Sequence, residues 1–289
     1  TLFRSLPIMF TGNKQIYDLD YRNFGNDPFA SQQAVADSLL GDATDIFTPA
    51  EILECKTVNL TESDGEGYRR YEKIDKDRDA YILYSIKVED PMDDPEEPAC
   101  LYAYFDAPHL QNVELFRYDT DLGSYFGEYR WNIVNMETHT IDDTYEISLH
   151  PLDETMDISG DYFYYENREL VKQFCDKIRY NESNISKITS SHLQGSINIK
   201  GKDQCVVLSV PYDNSWHISV DGQDAEARPA AGMLLAFDAG EGYHDIDIRY
   251  IPGGLYAGRI VSVFSLAIVI LVNIYLYKKR YAPMEKHII

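Results

Sequence analysis

The period of the hydrophobic positions changes several times along this chain, and each change predicts an element. Over residues 1–50 the pattern is mixed, with one helix near 28–40. Asp27 supplies a cap, Pro28 fits the first turn and Gly41 a stop, while Phe29, Val35, Ala36, Leu39 and Leu40 form an apolar side. From about Cys55 the period becomes two. Ile82, Tyr84, Ile86 and Val88 share one face of a predicted strand, and Tyr81, Leu83, Ser85 and Lys87 the other. Cys100–Phe105, Val113–Tyr118 and Tyr145–Leu149 read as further strands, and an acidic, proline-broken loop spans Asp90–Pro98. After Tyr162-Phe163-Tyr164-Tyr165, Leu170, Val171, Phe174 and Ile178 return to helical spacing. Alternation then resumes. Cys205–Val210 is an apolar strand ended by Pro211. Trp216, Ile218 and Val220 alternate with polar residues up to an Asp221-Gly222 turn. Met233–Phe237 is another strand, and Ile246, Ile248 and Tyr250 alternate with Asp245, Asp247 and Arg249.

The final pattern is uninterrupted. From Ile260 to Tyr277 only Ser262, Ser265 and Asn273 are markedly polar, and Lys278-Lys279-Arg280 follows. About 20 mainly apolar residues span a bilayer as a helix, so 255–277 is predicted to cross a membrane. A core helix rarely runs so long without charge. The basic triplet predicts a cytoplasmic C-terminus, which puts residues 1–254 outside.

These elements predict a mainly β protein. Two β-sandwich, jelly-roll-like modules are joined by short helices and followed by one C-terminal transmembrane helix. The expected divisions are a mixed segment at 1–50, a first module at 51–160, and a bridging strand and helix at 161–195. A second, membrane-proximal module at 196–253 precedes the membrane helix and a tail at 278–289. Tyr and Phe, 23 and 12 against 2 Trp, fit aromatic-rich sheets.

Charge narrows the partners. Before Arg259, 21 Lys and Arg face 47 Asp and Glu. Such a body repels nucleic acid, whose binding needs phosphates neutralised. It also stands off an anionic membrane or wall polymer unless a cation bridges them; solubility alone is the plainer reason for the acidity. Cys55, Cys100, Cys175 and Cys205 lack zinc spacing. They allow two disulfides in three connectivities or, as three lie in apolar runs, buried thiols.

No nucleotide-binding or nucleophile motif is present, so no catalytic, cofactor-binding or metal-ligating residue is assigned. His217 and His244 lie in or beside strands as surface or hydrogen-bonded residues. Asp75–Asp79 imitates a calcium loop but has Ala80 where Gly is required and Ile86 where Glu is required. Abundant carboxylates alone do not define a glycoside-cleaving pair. The aromatics offer the more specific chemistry: Trp131, Tyr162, Tyr164 and Tyr165 are candidate sugar contacts, unless their rings fill the cores and the seam between modules. In the membrane helix, Ser262, Ser265, Val269 and Asn273 share a narrow face suited to a partner helix, and Arg259 can snorkel to the headgroups.

Several stretches together resemble the bacterial YfhO family. Pro211-Tyr212 through Trp216 to Val220-Asp221-Gly222 resembles its P-Y-x-x-x-W-x-x-x-V-D-G signature. Asn26-Asp27-Pro28-Phe29-Ala30-Ser31-Gln32 resembles its N-x-P-F-x-x-Q stretch. His192-Leu193-Gln194-Gly195, Gly242-Tyr243-His244 and Pro252-Gly253-Gly254 fall in the same order. The resemblance implies a multi-pass membrane protein similar to GT-C-type glycosyltransferases that use polyprenyl-phosphate sugars. Members are associated with glycosylating teichoic acid in the cell envelope. Their catalytic acidic residue is expected in an N-terminal membrane domain, outside this chain. The expected partners are the transmembrane helices of that domain, and cell-wall polymer or lipid-linked sugar. With no signal peptide opening the chain, either a leader was trimmed or this is the C-terminal region of a longer protein. The alternative is a single-pass surface module that binds glycans or proteins.

Overall fold

A computed structural model describes residues 7–88, 100–118, 120–125, 133–136, 143–179, 183–189 and 191–281. Strands are numbered along the chain. In the first module, one sheet has the order β10 (Val134–Asn135), β7 (Cys100–Asp106), β13 (Gly160–Glu166), β2 (Phe47–Pro49). The facing sheet has the order β3 (Ile52–Val58), β6 (Tyr81–Val88), β11 (Asp143–Pro151), β8 (Leu110–Arg117), β9 (Thr120–Tyr125). A small third sheet runs β12 (Thr155–Ile158), β5 (Arg69–Lys73), β4 (Leu60–Asp64). Every pairing is antiparallel, and the period-two pattern decides what is inside. Ile82, Tyr84 and Ile86 from β6 meet Leu101, Ala103 and Phe105 from β7 in one core.

The second module packs two more sheets. One is β1 (Met9–Asn13), β16 (Gln204–Pro211), β20 (Leu234–Phe237), β19 (Arg228–Ala230). The other is β14 (Ser183–Ile188), β15 (His192–Ile199), β21 (Gly242–Tyr250), β17 (Trp216–Val220), β18 (Gln223–Ala225). Strand β1 pairs with β16, Met9 opposite Leu208 and Asn13 opposite Gln204, so the chain's start contributes a strand to the last sandwich.

Both faces of β16 are covered, which explains its continuous apolar run. Val206, Leu208 and Val210 face the sandwich interior. Cys205 and Val207 face the helices α1 (Pro28–Leu40) and α2 (Arg168–Arg179) through Leu39, Val35, Phe174 and Ile178. Helix α1 carries the punctuation its sequence predicts. Asp27 accepts hydrogen bonds from the Phe29 and Ala30 amides, Pro28 occupies the first turn, and Gly41 closes the helix at φ 77°.

All four cysteines are free thiols. Cys100 and Cys205 are buried as their apolar runs imply. Cys55 is exposed, because β3 is an edge strand whose residues are all exposed.

Helix α3 (Leu255–Tyr281) has 27 residues and rises about 40 Å at 1.5 Å per residue, enough to cross a ~30 Å hydrocarbon core. None of its apolar window is buried against the rest of the chain.

Candidate functional site

The period-two pattern of β7 and β13 sends alternate residues outward. Tyr104 stands opposite Tyr162, and Tyr102 opposite Tyr164. Four half-buried tyrosines therefore line the outer face of this sheet, while Leu101, Ala103, Phe105, Phe163 and Tyr165 point into the core. The Tyr104 and Tyr162 rings lie 6.4 Å apart and within 23° of parallel. The Tyr162 ring also lies over Gly160, where an added Cβ would come 2.3 Å from ring carbon Cε2. That contact fixes the ring's height above the sheet.

Polar groups border these rings. Asn26 donates through Nδ2 to Asp106. Tyr164 donates its hydroxyl to Asp27 Oδ2 at 2.9 Å. Burial raises the hydroxyl pKa of Tyr104 and Tyr162, and nearby carboxylates, Asp106 at both and Asp27 and Asp161 at Tyr162, add to it. Tyr164 is pushed up to about 12, by burial first and then by its bond to Asp27. All three remain neutral phenols near neutral pH. Flat rings flanked by carboxylate and amide acceptors and donors suit sugar recognition, since ring faces cover C–H surfaces and acceptors take hydroxyls.

The four sequence candidates separate. Tyr162 is on the outward face with Tyr104. Tyr164 is outward too, but Phe29 stacks on it at 4.8 Å, with Phe47 on Phe29's other contact at 5.4 Å. Tyr164 thus belongs to the seam where α1 meets the first module. Tyr165 is buried and donates its hydroxyl to the Lys87 carbonyl, so it is a core residue and not a sugar contact. Trp131 lies outside the described residues. Tyr102 and Tyr104 were missed, though the alternation in Cys100–Phe105 contains the signal.

The Asn26–Gln32 stretch has a structural task in this geometry. Asn26 and Asp27 reach the first module, Phe29 fills the seam, and Gln32 bonds back to the Pro28 carbonyl. The Pro211–Gly222 stretch is likewise structural. Trp216 donates its ring N–H to the Pro211 carbonyl at 3.0 Å. Asp221, with φ 53°, takes bonds from the Asp245 amide and from His244 Nδ1 at 2.9 and 2.7 Å. His244 also meets the Gly240 carbonyl through Nε2. His217 is exposed on β17.

Among the described residues no three His, Cys, Asp or Glu side chains gather to hold a metal. In the Asp75–Asp79 turn the Asn59 side-chain amide ties down the backbone. Its Nδ2 donates to the carbonyls of Asp75, Arg78 and Asp79, and its Oδ1 accepts from the Asp75 amide. Several hollows occur among the described residues. A polar one of about 610 Å³ lies over β15, β17 and β21 beside His217 and Asp247. An apolar one of about 400 Å³ lies between α1 and α2 beside Phe47 and Phe174.

Helix α3 leaves the second module at the end that holds Trp216 and Tyr250, its base. The Ile251 amide bonds to the Ser215 carbonyl and the Leu255 amide to the Pro252 carbonyl. The chain also enters β1 at the base, since the Ile8 amide bonds to Ser209 Oγ at 2.8 Å, next to the strand end at Pro211. On α3, Ser262 Oγ donates to the Gly258 carbonyl and Asn273 Nδ2 to the Val269 carbonyl, both at 2.8 Å. Ser262, Ser265 and Asn273 are exposed on the bare helix. Back-bonding within the helix lowers the cost of these polar groups in lipid.

Comparison with known proteins finds a family, a curated relative and solved structures to which this chain is similar. The family described as "Bacterial membrane protein YfhO" matches residues 3–262. An "Uncharacterized protein YfhO" from Bacillus subtilis (strain 168) is 24% identical over 145 residues, covering 47% of this chain and 16% of that protein. The chain thus spans a small part of that relative's length. Among solved structures, PfGH50B aligns at 12% identity and a TM-score of 0.26, covering 42% of this chain and 24% of its own. A beta-glucuronidase from Ruminococcus gnavus aligns at 10% identity and a TM-score of 0.26, covering 86% and 42%. Likenesses at that score carry no argument about chemistry.

Proposed function

We propose a function from one premise: this chain belongs to the YfhO family of bacterial membrane proteins. In our reading it is the extracytoplasmic region, with the final membrane helix, of a multi-pass glycosyltransferase of the cell envelope. The parent takes its sugar from a polyprenyl-phosphate donor and passes it to teichoic acid. Residues 1–254 stand outside and the tail after Tyr277 is cytoplasmic. The Ser262–Ser265–Asn273 face of α3 packs on membrane helices that belong to the rest of the protein.

One observation carries the reading. The chain enters β1 and leaves β21 at the same base of the second module. A segment leading into β1 from the bilayer and α3 running back into it hold both modules on one side. The contribution of this region is to position the acceptor, with Tyr104 and Tyr162 as the platform. The acidic body repels polymer phosphates, so recognition falls on sugar rings and hydroxyls. Salt screens that repulsion and therefore strengthens binding.

The test has two parts. The chain reconstituted in phosphatidylcholine vesicles, given a polyprenyl-phosphate sugar and teichoic acid, should transfer nothing; turnover would overturn the assignment of chemistry to another region. Polymer co-sedimentation should weaken in Tyr104→Ala and Tyr162→Ala. Unchanged binding in both variants would remove the platform.

A further inference from the structure

The second module distributes its exposed apolar side chains unevenly. At the base, Ile8 is 61% exposed, Ile188 37% and Met233 37%; Met233 and the exposed Tyr21 also line the apolar hollow between α1 and α2. At the far end Tyr243 is the one large apolar residue exposed among the described residues of this module. The turns divide in the same way. Those at the far end carry Lys200, Lys202, Asp203, Asp221, Asp238 and Glu241. Those at the base hold Thr189 and Ser191, Ala231-Gly232-Met233, and Asp213-Asn214-Ser215, with a single charge. Charge remains at the sides of the base, where Asp20 pairs with Arg22 beside Gly232 and Lys187 and Arg249 are exposed, but aliphatic side chains are left uncovered among them.

Hydrogen bonds tie these residues to one surface. Ile8 and Ser209 exchange bonds, and the Tyr212 amide bonds to the Met233 carbonyl. The Tyr21 amide bonds to the Ala231 carbonyl and the Thr189 amide to the His192 carbonyl. Trp216 and Tyr250 meet edge to face at 4.9 Å just above them. Tyr256 and Leu255 continue the surface directly into α3.

We infer that this base is a lipid-contacting face: Ile8, Ile188 and Met233 insert into the interfacial layer of the bilayer that α3 crosses, and the part-exposed Tyr250 and exposed Tyr256 sit at headgroup level. Resting on the membrane reading above, the inference adds which surface meets the lipid and in what orientation. The occupant is the bilayer surface because α3 emerges from this same patch after only Ile251–Gly254. Four residues reach at most about 14 Å, so the base cannot stand far from the headgroups. Aliphatic insertion with an aromatic girdle is the chemistry of interfacial seating. The contact is apolar, so it does not depend on anionic lipid or low salt.

The experiment uses the full chain in phosphatidylcholine nanodiscs with Cys55 and Cys175 changed to Ser. An environment-sensitive fluorophore is attached at Ile8→Cys, Ile188→Cys or Met233→Cys, and at Tyr243→Cys and Ile74→Cys as exposed controls. Cooperative unfolding confirms that each variant is folded. The three base probes should shift to the blue and be quenched several-fold more than the controls by nitroxide-labelled lipid, at low and high salt alike. Base probes as wet and unquenched as that at Tyr243 would overturn the inference. Protease protection of Lys278–Arg280 from the module's side reports α3 separately. Wet probes with α3 inserted sink the seating alone, whereas an α3 that does not insert removes the membrane topology beneath it as well.

Discussion

Asp27→Ala tests the seam between the two modules. Asp27 caps α1 by accepting from the Phe29 and Ala30 amides at 2.9 and 3.1 Å, and it also accepts the Tyr164 hydroxyl at 2.9 Å. Loss of an N-cap costs about 1 kcal/mol, and a hydrogen bond from a half-buried hydroxyl contributes about 1 kcal/mol more. The expected loss is therefore about 2 kcal/mol, split evenly between helix and seam. A double-mutant cycle separates the halves. Tyr164→Phe alone removes the seam bond and keeps the cap, so the coupling between the two changes should be about 1 kcal/mol. The assay is equilibrium urea unfolding of the chain in detergent micelles, followed by tryptophan fluorescence. Strictly additive changes, or an Asp27→Ala loss below about 0.5 kcal/mol, would refute a shared capping and docking role.

Three further outcomes follow from the structure. Asp161 accepts from Arg69 at 2.6 Å and from the buried Tyr84 hydroxyl in the first module; Asp161→Ala leaves that hydroxyl unpaired and frees the partly exposed Arg69, and should lower stability by about 2 kcal/mol in the same assay. Gly160→Ala should displace the Tyr162 ring and weaken polymer co-sedimentation with little change in the unfolding midpoint. Acid should destabilise the second module. Asp247 is held below the usual carboxylate range chiefly by Arg249 and then by His192 and Gln194, and Asp221 by His244 and the Asp245 amide. Folded-state pKa values below the unfolded ones give stability that is full above the ordinary carboxylate pKa of about 4 and fades as pH falls through the folded values. Unfolding midpoints should thus drop between about pH 4 and 2, with a shallower fall in Asp247→Asn.

Local signals were the legible part of this fold. Helix α1 has its cap, its proline and its closing glycine where the sequence puts them, because those residues act within one turn. The β6 strand at Tyr81–Val88 was readable because one of its faces lies in a core. Non-local pairing was less accessible. Nothing within Met9–Asn13 announces that its partner is β16, some 195 residues away, since a five-residue strand carries too little pattern to choose a mate. Burial of Cys55 was one of two readings its apolar run allowed, beside a disulfide, and edge position overrode it. The tyrosine face was half visible. Tyr162 was found by composition, whereas its neighbour Tyr104 became apparent only when β7 and β13 paired. Tyr165 falls under the alternative reading, a ring that fills the core; a run of adjacent aromatics hides the alternation that sends one ring in and the next out.

The central claim is that both modules stand outside the membrane that α3 crosses, and the exposed Cys55 on β3 provides a natural probe of it. Intact cells expressing the chain with a C-terminal epitope would be treated with a membrane-impermeant maleimide and, separately, with external protease. The account predicts that Cys55 is labelled from outside while the epitope after Ile289 stays protected until the cells are lysed. A Cys55 reachable only after lysis, or an epitope removed from intact cells, would contradict it.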